Sequence, residues 1–71
     1  MGEDAGDTTD LEQAVELAAE LDGEIADLRI LLSVLSANEL TPRLKRRINA
    51  VRHDLATTQM LRFRLQDRFG V

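Results

Sequence analysis

Two groups of charged residues in this sequence have the types and the spacing to do chemistry. The first is the basic run TPRLKRR at residues 41–47, which together with Arg52 forms a cluster of five cations: Arg43, Lys45, Arg46, Arg47 and Arg52. Such cations attract phosphate and carboxylate groups. The run is also typical of a helix start, where each cation opposes the helix dipole at a cost of a few tenths of a kcal/mol. A cluster kept at this cost favours a binding role, either for a ligand or for an acidic part of a second copy.

The second group is a row of acidic residues, Glu16, Glu20, Glu24 and Asp27, spaced three or four residues apart. Carboxylate metal sites in helical bundles point inward and add a histidine three residues from a glutamate. No histidine has that spacing here, and His53 falls on the outer face of its own helix. No Gly-rich phosphate loop, cysteine pair or HExxH motif occurs. We therefore expect solvated surface residues, with no catalytic residue, metal, cofactor, small-molecule substrate or enzyme activity.

Length and composition limit how this protein can be stabilised and where it can be located. A chain of 71 residues makes one small domain, which usually needs disulfides, a metal or a partner for stability. It has no cysteine and one histidine, so self-association is the remaining route. No apolar run approaches the roughly 18 residues of a membrane span, and the polar N-terminus is unlike a signal peptide. We expect a cytoplasmic protein without a membrane partner.

Charge is divided between the two halves of the sequence. Residues 1–10 carry −4 and residues 11–37 carry −5, whereas residues 42–69 carry +6. This asymmetry is typical either of two helices that attract each other or of a nucleic-acid surface. We favour the first interpretation because the total charge is −4 and no aromatic residue lies in the basic run.

The first half predicts one long helix. Residues 1–8 are small and acidic, without apolar spacing, and predict a disordered tail. Thr9 and Glu12 form a candidate capping box, with Asp10 as an alternative N-cap, so the helix is predicted over 10–37. Gly23 interrupts neither the helix nor its heptad pattern. Apolar residues repeat at alternating spacings of three and four: Leu11, Ala14, Ala18, Leu21, Ile25, Leu28, Leu32 and Leu35.

The second half predicts a turn and another helix. Residues 38–41 form the turn, with Asn38 as a left-handed cap and Thr41 as the N-cap. Pro42 suits the first helical position, and Gly70 lies beyond the end of a helix over 42–69. One face of this helix is apolar except for Thr58 and Arg62. Its residues are Leu44, Ile48, Val51, Leu55, Thr58, Arg62, Leu65 and Phe69.

A short turn between long helices makes them antiparallel neighbours. Leu35 then lies opposite Leu44, and each of the eight facing pairs has residue numbers that sum to 79 or 80. This agreement predicts an all-α, coiled-coil-like helical hairpin. We expect the stem of Arg62 to pack on Ala18 while its guanidinium extends toward an acid such as Glu16, Glu20 or Asp22.

Apolar residues outside the facing pairs predict further packing. Two hairpins that bury these residues would form a homodimeric four-helix bundle. The sequence thus predicts a protein–protein interaction or assembly module, such as a small adaptor or regulatory protein. Its expected partners are a second copy and an acidic protein that binds the cations. The alternative is a nucleic-acid-associated protein that uses the basic cluster. The candidate apolar partner-binding residues are Leu17, Ile30, Leu31, Val34, Met60 and Phe63.

Overall fold

The structure is a computed structural model that describes residues 2–71, with side chains from Thr9 onward. It contains two helices, α1 (Gly2–Ser36) and α2 (Pro42–Phe69), which pack against each other. The chain is 89% helical, and no strand occurs in the described part. The predicted all-α hairpin is therefore confirmed. Its extents of 59 × 15 × 14 Å leave room for a single layer of core between two helices.

Most of the predicted helix caps are present. The Thr41 side chain accepts a hydrogen bond from the backbone N–H of Leu44 at 3.1 Å, and Pro42 begins α2. Gly70 closes α2 in the left-handed conformation, with φ of 71°. The predicted left-handed Asn38 is wrong, because no described residue other than glycine has a positive φ. Asn38 instead donates its side-chain N–H to the Val34 carbonyl at 2.9 Å, which satisfies a C-terminal carbonyl of α1 without a left-handed turn.

The N-terminal part of α1 differs from the prediction. The helical backbone is continuous through Thr9 and Asp10, so neither residue is the N-cap. A cap preference of about 1 kcal/mol does not end a helix that propagates through both residues. The predicted disordered tail at residues 1–8 lies outside the residues whose side chains the structure describes, and it stays a prediction. At its other end α1 finishes at Ser36, one residue before the expected Ala37.

The core lies along the two predicted apolar faces. Its most buried members all belong to them: Ala14, Ala18, Leu21, Ile48, Val51 and Thr58. The remaining members are half-buried, except Leu11, which is 46% exposed near the open end of the hairpin. Thr58 donates its hydroxyl to the Asp54 carbonyl at 2.8 Å, so this buried polar group has a partner. The heptad spacing of the sequence therefore identified the interhelical core.

Candidate interaction surfaces

Each side of the hairpin has a shallow depression between the helices, and the two depressions lie at opposite ends. On one side, at the open end, Leu17, Leu61, Arg64 and Arg68 line the depression beside the core residues Leu21, Leu65 and Phe69. On the other side, near the turn, Leu40 and Ile48 line it together with polar residues: Ser36, Lys45, Asn49 and Arg52.

We define the leucine face by Leu17, Leu31, Val34 and Leu61, which share the first of these sides with three exposed acidic residues: Glu20, Glu24 and Asp27. Leu17 and Leu31 are two heptads apart and therefore share one side of α1, and Val34 lies one turn beyond Leu31. Leu17, Val34 and Leu61 are 45%, 56% and 48% exposed. Leu31 is half-buried. Leu61 is not among the predicted partner-binding residues, although its spacing to Leu65 was the available signal.

The other predicted apolar residues lie elsewhere on the surface. Ile30 is 63% exposed on the outer side of α1, next to Val34. Met60 and Phe63 are 56% and 69% exposed on α2. At 100° per residue, Phe63 points about 160° away from Leu61. The structure therefore separates Met60 and Phe63 from the leucine face. It also exposes Val15 and Leu40, at 52% and 57%, which sequence analysis did not select.

The basic tip comprises Arg43, Lys45, Arg46, Arg47 and Arg52. All five side chains are exposed on the first three turns of α2, and the first turn contains no acidic residue. None forms an ion pair with any residue whose side chain the structure describes. Helical spacing distributes these cations around α2 on every side except its core face, and Arg43 and Arg47 flank a shallow depression with Thr41. The cations of the tip therefore surround α2 and do not form a pocket for one small ligand.

Arg62 links the helices at the opposite end of the hairpin. Its Nε donates to the Asp22 carboxylate at 2.8 Å, so the predicted pairing with one of three nearby acids is confirmed for Asp22. Its Nη2 donates to the Val71 carbonyl at 2.7 Å, which holds the chain after Gly70 against the helix. The Arg62 side chain is 18% exposed, and its Nη1 is buried without a partner. This arginine joins three parts of the chain: α1, α2 and the C-terminal residue.

The acidic row and the histidine face solvent. Glu16, Glu20, Glu24, Asp27 and His53 are all exposed. Among residues with described side chains, no three histidine, aspartate or glutamate side chains are grouped to hold a metal ion. Neither helix of the described chain is long and apolar enough to cross a bilayer.

Comparisons with known proteins do not assign the chain. No protein-family model, curated protein or solved structure matches it. Its function must therefore be argued from the two surfaces, the leucine face and the basic tip.

Proposed function

We propose that this protein is a non-enzymatic interaction or assembly module that acts in the cytoplasm as a homodimer formed through the leucine face. The observation that supports this most is the exposure of Leu17, Val34 and Leu61 on one side of a molecule with a single core layer. Secondary-structure elements gain stability by burying such a face against another element. A second hairpin supplies a matching face, and the product is a four-helix bundle.

The half-buried core at the turn end gives a second reason. Leu28, Leu32 and Leu35 face α2 but are incompletely covered by it. A second layer of helices over Leu31 and Val34 would cover part of this surface as well. At about 25 cal/mol for each Å² of apolar surface removed from water, this burial favours association.

Light scattering after size exclusion, at tens of micromolar protein, tests the dimer. Val34→Glu introduces a charge into the leucine face and should convert the dimer to a monomer. Val15→Glu is the matched control, because Val15 lies on the same helix with similar exposure but outside the leucine face. We expect Val15→Glu to remain dimeric. A wild-type chain that is a folded monomer, or equal dissociation by both variants, contradicts the proposal.

The alternative is a nucleic-acid-associated protein, and the five exposed cations of the basic tip favour it. Binding through phosphate contacts would weaken steeply as salt increases. Retention of the wild-type chain on DNA or RNA, lost when Arg43, Arg46 and Arg47 are changed together to Gln, supports this alternative. Retention that does not depend on these cations or on salt rejects it. An acidic protein is another possible ligand of these cations, and its binding would not require nucleic acid.

A further inference from the structure

The side of the hairpin opposite the leucine face has cations from both helices. Lys45, Asn49 and Arg52 of α2 line the depression near the turn together with Ser36 of α1. Arg29 lies seven residues before Ser36, so it occupies the same side of α1 about 10 Å nearer the open end. We call these five residues the basic groove.

The two helices bring like charges together in this groove. Ser36 and Lys45 line the depression from opposite helices, so Arg29 and Arg52, each one heptad nearer the open end, also face each other. None of the three cations forms an ion pair with a residue whose side chain the structure describes. No acidic residue lies three or four positions from any of them in the sequence. Their charges are therefore available to an anion from outside the hairpin.

The leucine side has the opposite charge at its centre. Leu17 and Leu61 line the depression on that side, and one heptad nearer the turn Glu24 and Asp54 take the equivalent positions. Both acids are exposed. On the groove side, Asp22 lies one heptad beyond the groove and is already in an ion pair. An anion is thus repelled from the centre of the leucine side and attracted to the groove.

The lining of the groove favours phosphate over a folded protein partner. Protein interfaces depend on large apolar anchors near their centre. Leu40, which is 57% exposed, lies at the turn end of the depression and not between the cations. Guanidinium, ammonium, amide and hydroxyl groups all donate to phosphate oxygens, and the groove supplies each of them. The exposed residues one turn from the cations on this side are small: Ala26, Ser33, Asn49 and Ala56.

The spacing of the cations suits a nucleic-acid backbone. Lys45 and Arg52 are seven residues apart, or about 10 Å along α2. One strand of B-DNA has a phosphate about every 3.4 Å along the helix axis, so this distance spans about three phosphates. The groove contains no aromatic residue on which a base could stack. Recognition is therefore limited to the backbone.

We propose that the basic groove binds the phosphate backbone of a nucleic acid without regard to base sequence. This function goes beyond the proposed dimer, because it uses the opposite side of the hairpin and leaves the leucine face free for a second copy. It also differs from binding by the whole basic tip. Arg47 lies two heptads before Leu61 and Arg43 one turn before Arg47, so these two cations belong to the leucine side.

Fluorescence anisotropy of a short labelled DNA duplex, titrated with the full chain between about 50 and 200 mM salt, tests the groove. Three phosphate contacts should make the logarithm of the association constant fall with the logarithm of salt at a slope of about −2.7. Arg29→Gln and Arg52→Gln should each weaken binding several-fold and reduce the magnitude of the slope by about one. Duplexes of unrelated sequence should bind equally.

Two double variants compare the sides of the hairpin. Lys45→Gln with Arg52→Gln should weaken binding at least tenfold and leave a slope of about −0.9. Arg43→Gln with Arg47→Gln is the matched control, because it removes two exposed cations from the same helix on the leucine side. We expect the control to keep the affinity and slope of the wild-type chain. Circular dichroism verifies that each variant remains helical.

Three results would overturn the proposal. Equal losses from the two double variants would assign the phosphates to the whole basic tip. Binding of poly-glutamate as tightly as DNA would show that the groove recognises carboxylates, as an acidic protein partner requires. A wild-type chain that does not bind DNA at about 50 mM salt would reject the groove outright. None of these results affects the leucine-face dimer, which Val34→Glu tests separately.

Discussion

The core residues that α1 contributes toward its two ends differ in how completely they are buried. At the base end α1 contributes alanines, and Ala14 and Ala18 are only 4% and 5% exposed. At the turn end α1 contributes leucines, and Leu28, Leu32 and Leu35 remain half-buried although they also face α2. A single facing helix covers a small side chain, but a leucine extends beyond its edges. Side-chain size accounts for this contrast within α1 but not for the whole core, because Leu21 is 8% exposed and Ile48 and Val51 are each 6% exposed.

The base end and the turn end also differ in their ion pairs and side-chain hydrogen bonds. The base end has the Arg62–Asp22 ion pair and the hydrogen bond from Arg62 to Val71. The turn end has caps at Asn38 and Thr41, but none of the cations in its basic tip is paired with a residue whose side chain is described. The base is therefore linked within one chain, whereas the turn end has both apolar surface and charge available for another chain.

The largest effect should come from truncating the core at both ends. Leu21 is 8% exposed, so Leu21→Ala should reduce the free energy of unfolding by about 2–4 kcal/mol. Leu35→Ala should cost about half as much, because Leu35 is only half-buried. Urea unfolding monitored by circular dichroism, at a concentration where the hairpin is monomeric, measures both values. Equal losses would mean that the two ends are covered equally.

The sequence predicted the core residues well because burial in a hairpin follows a strict heptad repeat. Every described residue of the two predicted faces is buried or half-buried except Leu11. The predicted partner-binding residues included Met60 and not Leu61, although these neighbours point in different directions and Leu61 lies on the side of Leu17. It also misassigned Asn38 and Thr9, where capping depends on hydrogen bonds that residue type alone does not determine.

A smaller effect should come from the ion pair at the base. Asp22→Asn removes the charge that Arg62 contacts and should cost about 1 kcal/mol or less, because Asp22 is 59% exposed to solvent. Arg62→Met should be neutral or stabilising, since it also removes the buried Nη1 that lacks a partner. The midpoint of urea unfolding measures both. If Arg62→Met is the more damaging change, the hydrogen bond to Val71 contributes more than the pair with Asp22.

Glycine replacement tests whether the outer side of α1 is free of packing contacts. A Cβ at Gly23 would have no atom within 4 Å, so Gly23→Ala should stabilise the helix by about 0.5–1 kcal/mol. Gly70→Ala is the control with the opposite sign, because the φ of 71° at Gly70 disfavours a side chain. Thermal unfolding gives both shifts. A loss of stability for Gly23→Ala that appears only at dimer concentrations would place another chain against this glycine.

The smallest effect should come from single cations of the basic tip. Arg43 lies in the first turn of α2, where its charge opposes the helix dipole, so Arg43→Gln should stabilise the monomer by a few tenths of a kcal/mol. Arg52→Gln makes the same chemical change in the third turn, where the dipole effect has decayed, and it should leave monomer stability unchanged. Thermal unfolding in dilute protein measures both values, and added salt should reduce the gain from Arg43→Gln. If Arg43→Gln instead destabilises the monomer, the cation has a stabilising role within its own hairpin.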